Sequence, residues 1–411
     1  MIALLLLMVV SLGFMRPNVG IGGFRIQATE ILFIFTAGIF AVACLTRSAA
    51  FRPNRFHFLI CLYFISLFAS AAFSISPGFS FVKLSGEAYL LGLAILFASV
   101  IRSTRSLQIV VLTWVATGTL VSVIGIFAIV GFYITPESFL VKPFLHHYGS
   151  LIPGPYPRVQ STFFYPAMLC SYLTVSIIFV LVSARAQFLS RKAAAVIFAL
   201  HLITLAFTIT PGLGGAALGI CFWAAILFRR RKVLAYASIT AGILGAIAFL
   251  IVATFSFRPS ETSPYFYTFF DTRFDPSLRL LAWQDTLLTF IEFPIVGKGL
   301  GLGVCHVPYT APSGARHLFT DAHQMWLNIA GQSGMLGVLS FSVLCGWVVK
   351  VTMPWDAGHD RGSVIRTGLG VAFVASFMVQ GLVGSLENAR HAWVLIGMIA
   401  ALRYMPEEEA K

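Results

Sequence analysis

His323 is the residue whose type and setting could most readily do chemistry. It lies in Thr320-Asp321-Ala322-His323-Gln324, immediately before a long apolar run. Thr320 or Asp321 can cap the helix that such a run forms, by accepting from its free amides. The positive end of the helix dipole favours a neutral imidazole, and a neutral imidazole can act as a base. An interfacial histidine hydrogen-bonded to its loop fits the position equally well. A zinc site from His306, His317 and His323 is a third reading, but no Cys joins it and the spacing matches no common pattern.

Around this histidine the polar segments carry isolated cations: Arg158, Arg258, Arg273, Arg279 and Arg316, with Lys142 and Lys298. Guanidinium groups are planar and permanently charged, which suits bidentate contact with phosphate or diphosphate oxygens. Pairing with Glu261, Asp271, Asp275, Asp285, Glu292 and Asp321 is the plainer account of any single arginine. For the set, two or three converging on an anion is the reading preferred. Lys83 and Glu87 stand one helical turn apart and are expected to pair, since a lone charge in a span costs roughly 2.5–3.5 kcal/mol. Both could also line a cleft. Glu30, Glu387, Arg390 and His391 are expected at the membrane interface. Gly331, Gly334 and Gly337 recur at helical spacing and predict a flat face for a neighbouring helix.

The elements that hold these residues must be membrane helices. Of 411 residues, 58% are hydrophobic and 10% charged, too apolar for a soluble fold or for disorder. Apolar runs near 1–15, 26–46, 56–73, 80–101, 107–133, 162–184, 193–210, 213–228, 233–255, 323–349, 364–385 and 391–404 predict about twelve crossings. Basic clusters at 47–55, 102–105, 185–192, 229–232 and 350–366 mark alternate connections, which places them and both termini in the cytoplasm. That distribution, rather than a basic stripe, accounts for the net charge of +13 and argues against nucleic acid. The first run lacks a basic n-region and a cleavage site, so it is expected to stay as a first helix. Five of six cysteines fall in apolar runs, which leaves Cys305 alone in a loop without a disulfide partner. The expected class is an all-α polytopic membrane protein, a single transmembrane domain over 1–411. Two long outer loops, 134–161 and 256–322, should hold the chemistry. The short acidic tail Glu407-Glu408-Glu409 is expected to be solvated, with no soluble domain after the last helix.

At this point the sequence resembles the O-antigen ligases and related lipid-linked glycan polymerases. His323-Gln324, nine residues, then Gly334-x-x-Gly337 resembles the family's most specific motif. Arg279-x-x-x-Trp283 followed by Phe293-Pro294-Ile295-Val296-Gly297-Lys298-Gly299 is similar to its arginine-to-tryptophan and Pro-x-x-Gly-x-Gly segment. Pro157-Arg158-Val159-Gln160-Ser161-Thr162-Phe163 with Pro166 is similar to the arginine stretch before helix six.

The resemblance implies a GT-C-like architecture in a bacterial inner membrane, with a large periplasmic loop between helices nine and ten. The donor would be a glycan on undecaprenyl diphosphate and the acceptor a hydroxyl of lipid A–core. His323 would take the acceptor proton, while Arg279 with Arg158 would stabilise the departing diphosphate, by inversion and without metal or other cofactor. Asp321, Gln324, Trp283, Arg273, Arg316 and Lys83 would complete the substrate site. One departure stands out. Where many relatives have Ser-Arg-Gly between helices seven and eight, this chain has Thr210-Pro211-Gly212-Leu213-Gly214-Gly215, so Arg25, Lys83, Arg273 or Arg316 would have to substitute. No outer arginine has a Gly eleven positions on, the polymerase spacing of Arg, ten residues, Gly, which favours ligase over O-antigen or exopolysaccharide polymerase. A secondary transporter is the reading from another class, but deep spans this poor in charge argue against it.

Overall fold

Apolar runs in lipid must satisfy their own backbone groups, and a helix does so within one segment. The computed structural model describes all residues except 17–18, 22–23, 136–137, 147–149, 152–153, 257–266, 270–271, 311–315, 354, 356–359 and 406–411. The helices are α1 (Ile2–Leu12), α2 (Ala28–Leu45), α3 (Arg55–Ala72), α4 (Pro77–Val100), α5 (Thr104–Ile134), α6 (Pro166–Arg185) and α7 (Arg191–Ala206). They continue with α8 (Leu213–Leu227), α9 (Lys232–Thr254), α10 (Leu278–Glu292), α11 (Met325–Thr352), α12 (Arg361–Phe373) and α13 (Arg390–Ala401). Past Phe373, α12 runs on as a π turn at Val374–Val379 and a 3-10 turn at Gln380–Leu382.

Eight of these are long and apolar enough to cross a membrane: α2 to α6, α9, α11, and α12 with its extension to Leu382. The other four expected spans, α1, α7, α8 and α13, have 11, 16, 15 and 12 helical residues, short for a crossing by regular helix alone. Helix α6 lies in the core, with 78% of its apolar window buried, whereas α2 and α9 bury 11% and face outward. Trp114 of α5 stacks on Tyr172 of α6 at 5.2 Å, and Tyr63, Phe341 and Trp393 join α3, α11 and α13.

Two of the basic connections and the C-terminal turn meet at one end of the bundle. Arg102 donates to the Ala50 carbonyl and lies over the Tyr404 ring at 4.5 Å. The Tyr404 hydroxyl in turn donates to the Arg52 carbonyl at 2.7 Å. At the opposite end stand the long connections, which hold short antiparallel strands rather than a domain. Val307–Thr310 pairs with Arg316–Phe319, and Thr272–Pro276 pairs with both Tyr267–Phe269 and Phe255–Ser256. Within the second connection, α10 was not anticipated from the apolar runs.

In α11, Gly331 offers the expected packing face, since Val304 and the Thr286 side chain of α10 close on it, but Gly334 does something else. The helix breaks at Gly334, whose φ of 62° and ψ of −161° only glycine adopts readily. Residues 294–301 enter the break and take up the freed backbone groups. The Lys298 and Gly299 amides donate to the Gly331 and Gln332 carbonyls, while the Met335 and Leu336 amides donate to those of Pro294 and Ile295. The Gln332 side chain accepts from the Gly301 amide at 2.8 Å. A Cβ on Gly334 would stand 2.4 Å from the Ile295 carbonyl, and one on Gly297 would stand 2.3 Å from that of Gln332. Irregular backbone persists here because the two segments satisfy each other's hydrogen-bonding groups.

Candidate functional site

Ser277 caps α10 by accepting from the Leu280 amide at 3.4 Å, which sets Arg279 and Trp283 four residues apart on one helical face. Trp283 Nε1 donates to the Ala322 carbonyl at 2.9 Å, so this face of α10 meets the turn that presents His323. His323 itself takes a left-handed backbone, φ 50°, which aims its side chain out of the helix direction.

The cap of α11 is neither Thr320 nor Asp321. Gln324 accepts from the Leu327 amide at 2.6 Å, because the sharp turn at His323 leaves Gln324 as the first extended residue before the helix. Asp321 is thereby free for another task. Its Oδ1 accepts from the His323 amide at 2.6 Å and lies 2.8 Å from His323 Nδ1. Burial opposes the charge on Asp321, but hydrogen bonds from His323 and Ser385 and the pull of the imidazole hold its pKa down to about 2. An ionised Asp321 on Nδ1 leaves Nε2 as the lone-pair nitrogen of His323. Phe319 packs on the ring at 4.5 Å between centroids.

Behind this pair lies a polar network that the sequence did not disclose. Asn328 Nδ2 donates towards Asp321 Oδ2 at 3.0 Å, Ser385 Oγ at 2.9 Å and Glu387 Oε1 at 3.1 Å. Its Oδ1 accepts from the Ala322 amide at 2.9 Å. Asn328 is polar inside an apolar run, seven residues past Asp321, and that was the signal to read. Glu387, expected at the interface, is buried; burial and then the Asp321 charge push its pKa up to about 8. Glu30 and Arg390 likewise form an ion pair, and His391 is buried with Nε2 at 2.9 Å from Ser171 Oγ. Lys83 pairs with Glu87 at 2.8 Å as expected, and also donates to Asn388 beside Glu387.

Arg158 reaches the site from the first long connection. Its Nε donates to the Thr208 carbonyl at 3.1 Å, and Val159 is tied to Phe207. Arg279 is half-buried and has no hydrogen bond or ion pair among the described residues. Burial lowers its pKa to about 10, and the like charge of Arg158 adds to that. Asp285, one candidate partner, is instead taken by the His306 amide at 2.6 Å. Two guanidinium groups that repel each other, with no carboxylate on Arg279 among the described residues, describe a place for an anion.

The remaining expected residues divide. Arg316 is exposed on a hairpin strand opposite Thr310. Arg273 stands opposite Thr268 in its strand, with its side chain outside the described residues, as are the side chain of Arg25 and all of Arg258. The Thr210–Gly215 segment is met by Gln380, which donates to the Gly212 carbonyl and Thr174 Oγ1, each at 2.8 Å. Cys305 is buried and unpaired, and no group of metal-ligating residues occurs among the described residues.

Residues 193–342, from α7 through the break in α11, match the family model described as O-antigen ligase. That stretch, about a third of the chain, is similar to the O-antigen ligase domain. That supports a membrane glycan ligase or polymerase role and a lipid-linked glycan substrate. The matched stretch holds Arg279, Trp283, Asp321, His323 and Asn328, while Arg158, Lys83 and Glu387 come from outside it. No curated protein matches the chain.

Proposed function

We propose that this protein moves a glycan from undecaprenyl diphosphate to a hydroxyl of lipid A–core, on the periplasmic face of a bacterial inner membrane. The single observation that carries the reading is Arg279: half-buried beside Arg158, without a carboxylate among the described residues, and one helical turn from the tryptophan that holds the His323 turn. In this reading the chain crosses the membrane twelve times with both termini inside, α10 lying outside the bilayer.

His323 Nε2 takes the acceptor proton, with Asp321 stabilising the imidazolium that results. The acceptor oxygen attacks the anomeric carbon, the bond to the diphosphate oxygen breaks, and its electron pair leaves with the diphosphate. Arg279 and Arg158 meet that charge as it develops, and inversion follows from a single displacement. Arginines in this role supply the cationic stabilisation that a divalent metal supplies elsewhere.

The test is transfer by purified protein from an undecaprenyl diphosphate glycan, with and without lipid A–core, in chelator. Glycosylated core only when core is present is the expected result. Longer carrier-linked glycan in both tubes would make the protein a polymerase. A folded His323→Ala protein should lose about 10²–10⁴-fold in rate, and near-normal product from it overturns the general-base role.

A further inference from the structure

At the end of the bundle away from His323, α11 finishes beside the start of α3, and the two helices leave a cavity of about 320 Å³ lined by Asn54, Arg55, Trp347, Lys350 and Arg403. The three cations come from three separate segments of the chain. None of them has a hydrogen bond or ion pair among the described residues, and all three are exposed. Asn54 is spoken for, since it caps α3 by accepting from the Phe56 amide at 2.9 Å.

The cavity does not stop at the charges. Arg55, Trp347 and Lys350 also border a groove of about 450 Å³ whose other walls are Phe58, Leu59, Val343 and Gly346. Phe58 is 68% and Val343 52% exposed, so the groove opens sideways to lipid along α3 and α11. Trp347 is fixed at the junction by stacking on Phe56 at 5.5 Å. Gly346 leaves the groove floor open, because a Cβ there would meet nothing within 4 Å.

We propose that this pocket binds an anionic phospholipid, with the phosphate among Arg55, Lys350 and Arg403 and an acyl chain in the groove past Gly346. Charge complementarity selects the anionic head, since carboxylates are absent among the described lining residues. Continuity with an apolar, laterally open groove selects a lipid over a free phosphate compound, which would use the cations alone. Basic pockets between helices at this end of membrane proteins suit such headgroups. The site is independent of the transfer chemistry, which lies at the other end of α11.

The test uses full-length protein in neutral detergent, titrated with tetraoleoyl cardiolipin, phosphatidylcholine or inorganic phosphate and read by native mass spectrometry and thermal shift. Cardiolipin should bind at least about tenfold more tightly than phosphatidylcholine and raise the Tm. Each of Arg55→Gln, Lys350→Gln and Arg403→Gln should weaken it by about fivefold, and the triple variant by more than about 100-fold. Gly346→Leu keeps every charge and fills only open groove, so it should remain folded yet bind cardiolipin at least about tenfold less well. Equal binding of phosphatidylcholine overturns the proposal. So does a wild-type affinity in a folded triple variant. Cardiolipin binding that inorganic phosphate displaces and Gly346→Leu leaves unchanged would reassign the pocket to free anions.

Discussion

Replacing Asp321 with Asn removes one charge and turns one acceptor into a donor, in a site where every neighbour donates. The carboxylate accepts from the His323 amide, His323 Nδ1, Ser385 Oγ and Asn328 Nδ2. With the amide oxygen kept on the Oδ1 side, the new NH₂ points at Asn328 Nδ2, donor against donor. Flipping Asn328 would relieve that contact but forfeit its bond from the Ala322 amide. The imidazolium loses a charged partner and keeps a neutral one, a difference of about 1–2 kcal/mol between the two kinds of hydrogen bond. Both side chains are about two-fifths exposed, 44% for His323 and 40% for Asp321, so solvent screening puts the loss at the low end. Adding the donor clash, Asp321→Asn should lower kcat by roughly 10- to 100-fold, between wild type and His323→Ala. The assay is glycan transfer at saturating acceptor, run also on the double variant. Because Asp321 acts through His323, Asp321→Asn should cost nothing further in the His323→Ala background. The same fold-loss in both backgrounds would refute the argument, as would full activity of a folded Asp321→Asn protein.

Arg279→Lys should lose at least about tenfold in kcat while folding normally, because a point charge does not reproduce a bidentate grip; activity and detergent-resistant folding measured together decide it. Glu387 carries a pKa of about 8 in the fold against an ordinary value of 4.5, so its contribution to stability is full below the lower value and is lost as pH rises through 8. The Tm of the wild type should therefore fall between pH 7 and 9 more steeply than that of Glu387→Gln, and parallel curves would dismiss the buried neutral carboxyl. Gly334→Ala combines a backbone that only glycine adopts readily with a Cβ 2.4 Å from Ile295, and should destabilise by about 2–5 kcal/mol in a denaturant titration. Wild-type stability there would mean that α11 is continuous.

Several residues of the proposed site draw attention in the sequence by their type alone. A histidine before an apolar run and arginines in polar connections need no coordinates to draw attention. Hydropathy likewise finds helices, but it counts apolar length and not regular helix, which is why α1, α7, α8 and α13 fall short as crossings. The break at Gly334 was invisible for a related reason: glycines three residues apart read the same whether a helix or a loop packs against them. Capping was misassigned because the choice among Thr320, Asp321 and Gln324 depends on the backbone sign at His323, which no side chain announces. Asn328 and Glu387 needed three-dimensional pairing, since Asp321 and Glu387 are far apart in sequence.

The loop inserted at Gly334 bears on how the protein can move. Residues 294–301 lead directly out of α10 and are stitched into α11 on both sides of the break. Arginine and histidine are thus mounted on one frame, with Trp283 as a strut near its outer edge. Hinging between α10 and α11 would have to strip four backbone hydrogen bonds at once. Motion about the proposed site is then left to other parts, such as the connection that carries Arg158, while α10 and the start of α11 move as one piece.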